Sequence, residues 1–242
     1  MNNPLIARFD GEPVMVNPEM GNRIVGLLEA GAKHEMANEV MRTEFASGSD
    51  FWTELGDYGT KYLRPYRVKA GILQVPIRGV LLRDFPYQYF GYATGYEYIR
   101  EAFRRGLGDD EVKGIALIFD TPGGMVAGNF DLVDEIYEAR GTKPIAGFAD
   151  ESAYSAGYSL ISAVDPGRVN VARTGGVGSI GVVTAHVDMS KAMDAYGVKV
   201  TFIHAGKYKV EGNPYEALSP EAKARIQERI DGLYDIFVST VA

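Results

Sequence analysis

Between residues 68 and 204 the chain alternates short apolar runs with amphipathic stretches. Val68 to Leu81 reads as β-rich runs broken by Gly71, Pro76 and Gly79. Gly95 to Arg105 carries Tyr98, Ile99, Ala102 and Phe103 at helical spacing. Ile115-Ala116-Leu117-Ile118-Phe119 is apolar throughout, the pattern of a buried strand. It ends in Asp120-Thr121-Pro122-Gly123-Gly124, and a helix is predicted from Asn129 to Ala139. The unit then repeats: a strand from Pro144 to Ala149, a stretch of small and hydroxyl residues from Glu151 to Leu160, and a helix from Ala156 to Val164. A strand at Val169 to Ala172 leads to the glycine-rich run Thr174 to Val183. Next come a helix from Ser190 to Tyr196, a strand from Lys199 to His204, a Gly-Lys-Tyr-Lys loop and a long helix from Pro220. Strands alternating with helices predict an α/β fold with parallel pairing and right-handed crossovers. In such folds sites gather at the carboxyl ends of the strands.

Residues 1–67 read differently. Leu5 to Phe9 is a short extended piece, Pro18 to Leu28 a helix, Ala32 to Phe45 a more polar helix, and Ser47 to Asp50 a loop or cap. Tyr58, Tyr62 and Tyr66 fall at helical spacing, interrupted by Gly59 and Pro65. The expected organisation is therefore an N-terminal arm or oligomerisation segment over residues 1–67 and a principal domain over residues 68–242.

Composition narrows the classes of function. With 46% hydrophobic and 24% charged residues in 242, the chain can bury a sizeable core. A net charge of -7 opposes nucleic acid and anionic lipid as main partners. The chain has no cysteine, which excludes disulfides, thiolate metal sites and cysteine nucleophiles together. The histidines His34, His186 and His204 lack metal-motif spacing, so neither a metal nor another cofactor is expected. No stretch approaches the roughly 20 apolar residues of a membrane helix. The N-terminus lacks the regions of a secretory signal, and the expected location is cytoplasmic.

The candidate chemistry lies in the Gly- and Ser-rich stretches. Ser155 is the candidate nucleophile: its neighbours are small, and a strand-to-helix junction leaves backbone N–H groups free for a developing oxyanion. The simpler reading of Ser152, Ser155 and Ser159 is that they fill or cap a tight turn. Asp120 to Gly124 can supply further N–H groups and the edge of a peptide groove; the simpler reading there is a Pro-Gly turn. Gly176 to Gly181 matches G-x-G-x-x-G, but β-like Val182-Val183-Thr184 follows it, so a pyrophosphate site is set aside. A serine needs a base. His186, His204 and Lys209 are the candidates, and a lysine serves only in its neutral form.

The order of these pieces resembles that of the signal peptide peptidase A-like serine peptidases. Asp-Thr-Pro-Gly-Gly follows a strand, Tyr-Ser-Ala-Gly-Tyr precedes a helix, and Gly-Ser-Ile-Gly-Val and Gly-Lys-Tyr-Lys come after. The resemblance covers about residues 70–242 and implies a Clp protease/crotonase-like fold of repeated β-β-α units. It also implies a Ser-Lys dyad of Ser155 and Lys209. Ser179 would orient the lysine amine, and Gly124 and Ala156 would form the oxyanion hole, with Gly123 as the neighbouring alternative. Ala156, Asp120-Thr121 and Ser159 depart from the usual residues without touching a reacting atom.

The N-terminal layout looks like that of the prohead, or capsid maturation, proteases of tailed bacteriophages. The resemblance thus implies a homo-oligomeric endopeptidase acting on a polypeptide such as a scaffold or capsid protein, in the host cytoplasm or an assembling prohead. Small P1 side chains are implied as well. The chain's stop within its final helix fits a domain cut from a longer protein. The alternatives are a cytoplasmic signal-peptide-peptidase-like protease, a crotonase-type enzyme for coenzyme A thioesters, and a non-catalytic assembly scaffold.

Overall fold

The structure, a computed structural model, describes residues 12–16, 25–26, 50–55, 61–85, 88–89 and 91–242. Its centre is a parallel trio: β4 (Ile72–Arg78), β8 (Gly114–Thr121) and β10 (Ile145–Tyr154). Ile72 pairs with Gly114, and Ile115 with Ile145. Apolar residues at alternate positions of β4 (Leu73, Val75, Ile77) and a nearly continuous apolar run in β8 bury this trio on helices. Each fully buried Leu, Ile or Phe contributes about 1.5–3 kcal/mol.

Two of these strands continue across a tight turn into a second sheet. β4 turns at Gly79 into β5 (Val80–Leu82), and β8 turns at Pro122-Gly123 into β9 (Gly123–Met125). β5 pairs in parallel with β7 (Ala93–Gly95), which pairs antiparallel with β6 (Gln88–Tyr89). The first unit therefore deals β4 to the large sheet and β5 to β7 to the small one before its helix α1 (Tyr96–Gly108), and the second deals β8 and β9, one to each sheet, before α2 (Asn129–Glu138). This is the α/β architecture predicted by the alternating pattern, in the β-β-α units that the family resemblance implies. β10 leads directly into α3 (Ala156–Ser162), whose last carbonyls at Ser162 and Ala163 accept hydrogen bonds from the Arg140 guanidinium.

The sheets gain strands from both ends of the chain. β1 (Val14–Val16) lies antiparallel on β9, and β2 (Asp50–Leu55) and β3 (Lys61–Lys69) extend the large sheet beyond β4. On the other side β11 (Val169–Val171) and β12 (Gly176–Gly178) pair in parallel with successive parts of β10. α4 (Ser190–Ala195) is short, and α5 (Pro220–Val241) is long. Ser219 caps α5 by accepting from the Ala222 N–H, and Pro220 opens its first turn. α5 docks on the core through fully buried Phe237, whose ring meets Phe130 at 6.2 Å.

Two expectations are corrected. Of the tyrosines at helical spacing, Tyr62 and Tyr66 lie in no helix but in the strand Lys61–Lys69, paired with β4 through Arg67 and Val68, and Tyr58 lies outside the described residues. Pro65 is costly inside a helix, and the extended chain has partners on both sides, β2 and β4. Lys199 to His204 is irregular rather than a strand: among the described residues the large sheet ends at β11 and β12, and this segment does not pair with either. Val25 and Gly26 are helical, while the remainder of the expected Pro18–Leu28 helix lies outside the described residues. The same holds for the extended piece at Leu5 to Phe9, the helix at Ala32 to Phe45, and Ser47 to Ser49 of the expected loop.

Candidate active site

Ser155 stands where β10 ends and α3 begins, with backbone angles φ 53 and ψ -113. A positive φ is uncommon for a residue with a Cβ, and such conformations cost about 1–3 kcal/mol unless the surroundings impose them. Here they do. The Ser155 N–H donates to the Gly178 carbonyl at 2.7 Å, and the Ser155 carbonyl accepts from Tyr158 and Ser159 in the first turn of α3. The side chain does not cap the helix. Its hydroxyl has one long contact, 3.5 Å to the Gly181 carbonyl.

The other two serines of the stretch are spent inside the fold. Ser152 donates to Asp120 Oδ1 at 2.8 Å, and Ser159 donates to Asn129 Oδ1 at 2.6 Å and to the Ala156 carbonyl at 2.8 Å. The small neighbours of Ser155 have a packing reason: a Cβ on Gly157 would collide with Thr121 Cγ2, so α3 can approach the end of β8 only with glycine there. Ala156, fully buried, provides a first-turn N–H that has no partner within its helix.

The glycine strand β9 lies against the nucleophile. A Cβ on Gly123 would collide with the Met15 carbonyl oxygen and stand 3.1 Å from Ser155 Cβ; its φ of 105 also requires glycine. The Gly123 N–H donates to Thr121 Oγ1 at 3.1 Å, and the Thr121 hydroxyl in turn donates to the Gly79 carbonyl at 2.6 Å. Gly123's amide is thus engaged within the turn, while Gly124 belongs to the strand face paired with Met15.

Ser179 follows β12, whose pairing with β10 ends at Tyr154–Gly178, so its loop wraps the Ser155 turn. Ser179 is half-buried and takes a φ of 59. Lys209 is exposed in a turn-rich loop, its N–H donating to the Gly206 carbonyl at 3.3 Å. Among the described residues no hydrogen bond joins Lys209 to Ser155 or Ser179. The histidines weighed as bases contact backbone elsewhere: His186 Nε2 lies 3.0 Å from the Asn213 carbonyl and His204 Nδ1 3.2 Å from the Gly206 carbonyl.

A buried polar network lies beneath the site, and the sequence reading missed its central residue. Asn129 Nδ2 donates to the Ala156 carbonyl at 3.0 Å and to the Tyr96 hydroxyl at 3.5 Å, while Tyr96 donates to the Met125 carbonyl at 2.6 Å. Burial pushes the Tyr96 hydroxyl far above the ordinary tyrosine range, so it stays a neutral donor. Together with Ser159, these groups tie β9 to the first turn of α3. Asn129, one polar side chain at the start of an amphipathic helix, carried no sequence signal that separates it from a cap. Among the described residues no cluster of three or more His, Asp and Glu could hold a metal ion, and no helix is long and apolar enough to cross a membrane.

The sequence pattern of Peptidase family S49 matches residues 138–242, a segment that contains Ser155, Ser179 and Lys209. Capsid assembly protease C of Escherichia phage lambda is 37% identical over 207 residues, covering 85% of this chain and 45% of its own. Residues 138–242 thus belong to the S49 peptidase family. A second relative, the head-tail preconnector protein GP5 of Enterobacteria phage P21, is 37% identical over 185 residues, 76% of this chain and 36% of its own. The chain therefore spans less than half the length of these phage proteins. Among solved structures it is similar to an enoyl-CoA hydratase from Shewanella pealeana, at 10% identity and a TM-score of 0.34, covering 82% of this chain and 78% of that one.

Proposed function

We propose that this S49 chain is a serine endopeptidase of phage head assembly, with Ser155 as nucleophile and Lys209 as general base. The observation that carries the reading is the state of Ser155: an imposed, unfavourable backbone turn presents a weakly engaged hydroxyl between a glycine strand and a helix N-terminus. A fold that only needed a turn there would relax it with glycine. Neutral Lys209 would take the Ser155 proton as its oxygen attacks a peptide carbonyl, with Ser179 orienting the amine. The N–H groups of Gly124 and Ala156 would receive the oxyanion. Lys209 would then protonate the leaving amine, and water would release the acyl group.

The substrate would be an extended polypeptide pairing along β9, and the phage relatives support scaffold or capsid proteins as its natural source. The exposure of Lys209 supports an active form in which a second copy covers its loop and brings the amine to the site. The test is hydrolysis of a scaffold-derived polypeptide by the full chain. Ser155→Ala and Lys209→Ala should each lower turnover by about a thousandfold or more with the fold retained. Full activity in Lys209→Ala would end the lysine-base mechanism.

A further inference from the structure

The groove beside the nucleophile is already occupied by the chain's own strand β1. Val14, Met15 and Val16 pair antiparallel with Met125, Gly124 and Gly123. On its other edge Val14 exchanges two backbone hydrogen bonds of 2.9 Å with Val183. The Val126 N–H donates to the Pro13 carbonyl at 3.3 Å. Bonded pairs alternate along an antiparallel ladder, so the next bonded pair after Pro13–Val126 is Met15–Gly124. The Met15 carbonyl thereby faces the Gly124 amide, the group assigned above to the oxyanion. That carbonyl also lies against Gly123, whose missing Cβ would stand 3.1 Å from Ser155 Cβ.

Two further facts fit a bound peptide better than a decorative strand. Met15 and Ser155 both have 0% exposure, so in this arrangement no other polypeptide can reach the hydroxyl. The Pro13–Val126 pair carries one bond rather than two because Pro13 has no N–H to donate, and an ordinary residue at that position could supply the second.

We propose that β1 is an internal pseudosubstrate: it fills the peptide groove in the register of a substrate, with Met15 beside Ser155, and must withdraw before the enzyme can turn over. This rests on the peptidase reading above. The subsite flanking the nucleophile then accepts an unbranched apolar side chain as large as methionine, rather than only the small residues that the family resemblance implies.

The experiment measures hydrolysis of a fluorogenic reporter peptide by the full chain and by two variants that leave the catalytic groups untouched. Val14→Pro removes the N–H that donates to Val183, and Met15→Asp places a carboxylate in the apolar subsite. Each should raise kcat/KM by about tenfold or more, because the fraction of molecules with an open groove limits apparent affinity. A synthetic peptide of the sequence Glu12 to Asn17 should compete with the reporter in the activated variants. Folded variants whose Ser155-dependent turnover is no higher than the parent's, with no competition by the peptide, would overturn the pseudosubstrate while leaving the peptidase reading intact. If no form turns over the reporter and none is labelled at Ser155 by a serine-directed phosphonate, the peptidase reading falls and the pseudosubstrate with it.

Discussion

A hydroxyl becomes a nucleophile only if the fold does not use it for something else. In the stretch from Glu151 to Leu160, Ser152 and Ser159 serve as internal donors, to Asp120 and to Asn129, and Ser155 alone is left with a long contact. The three should therefore separate cleanly on mutation. Ser159→Ala strands the buried Asn129 carbonyl oxygen and should cost about 1–3 kcal/mol in urea denaturation. Ser155→Ala should leave stability within about 0.5 kcal/mol, the range of substitutions that break no buried interaction, while turnover disappears. Asn129→Leu should act on both, because Asn129 holds the Ala156 carbonyl at the first turn of α3 and reaches Tyr96 behind β9. The expected signature is a fall in kcat larger than any rise in KM, together with about 1–3 kcal/mol of lost stability. An Asn129→Leu protein of normal stability and normal kcat would remove the network from the account.

The elements fit together through close approaches that only certain residues permit. Gly157 lets α3 sit on the end of β8 against Thr121; Gly157→Ala should destabilise by about 1–3 kcal/mol in the same denaturation measurement, as overpacking does. At this scale much was legible from sequence. The apolar run Ile115 to Phe119, the helical spacing of Tyr98 to Phe103 and the Pro220 start of α5 are local patterns, and each produced its element within a few residues. What failed was decided by distant partners. Tyr62 and Tyr66 have helical spacing, yet β2 and β4 offer edges that their own sequence cannot announce. Lys199 to His204 has strand-like composition but pairs with no described strand. The site divides in the same way. The Ser155 turn and its glycine strand are encoded within a few residues, whereas the partnership of Gly123 with Thr121, the role of Asn129 and the seat of Met15 depend on chain segments far apart in sequence.

Across the whole molecule, apolar side chains are unevenly spent. The two-sheet core from Leu73 to Val164 is tightly buried, but the region after it exposes Val187, Tyr196, Ile203 and Tyr208, with Ile203 fully open. Exposed apolar side chains of this kind suit an interaction face. Ile203 and Tyr208 lie close to Lys209 in sequence, so assembly through them and completion of the site should be one event. Light scattering coupled to size-exclusion chromatography should find a homo-oligomer, and Ile203→Asp should shift it to smaller species with turnover lost in proportion. A fully active monomer would contradict that coupling. Everything in the account depends first on the chemistry of one hydroxyl. The most direct measurement is peptide mapping by mass spectrometry after treating the assembled protein with a serine-directed phosphonate. A single adduct on Ser155, absent from Ser155→Ala, is expected; an unlabelled Ser155 in protein that still hydrolyses its substrate would contradict its role as nucleophile.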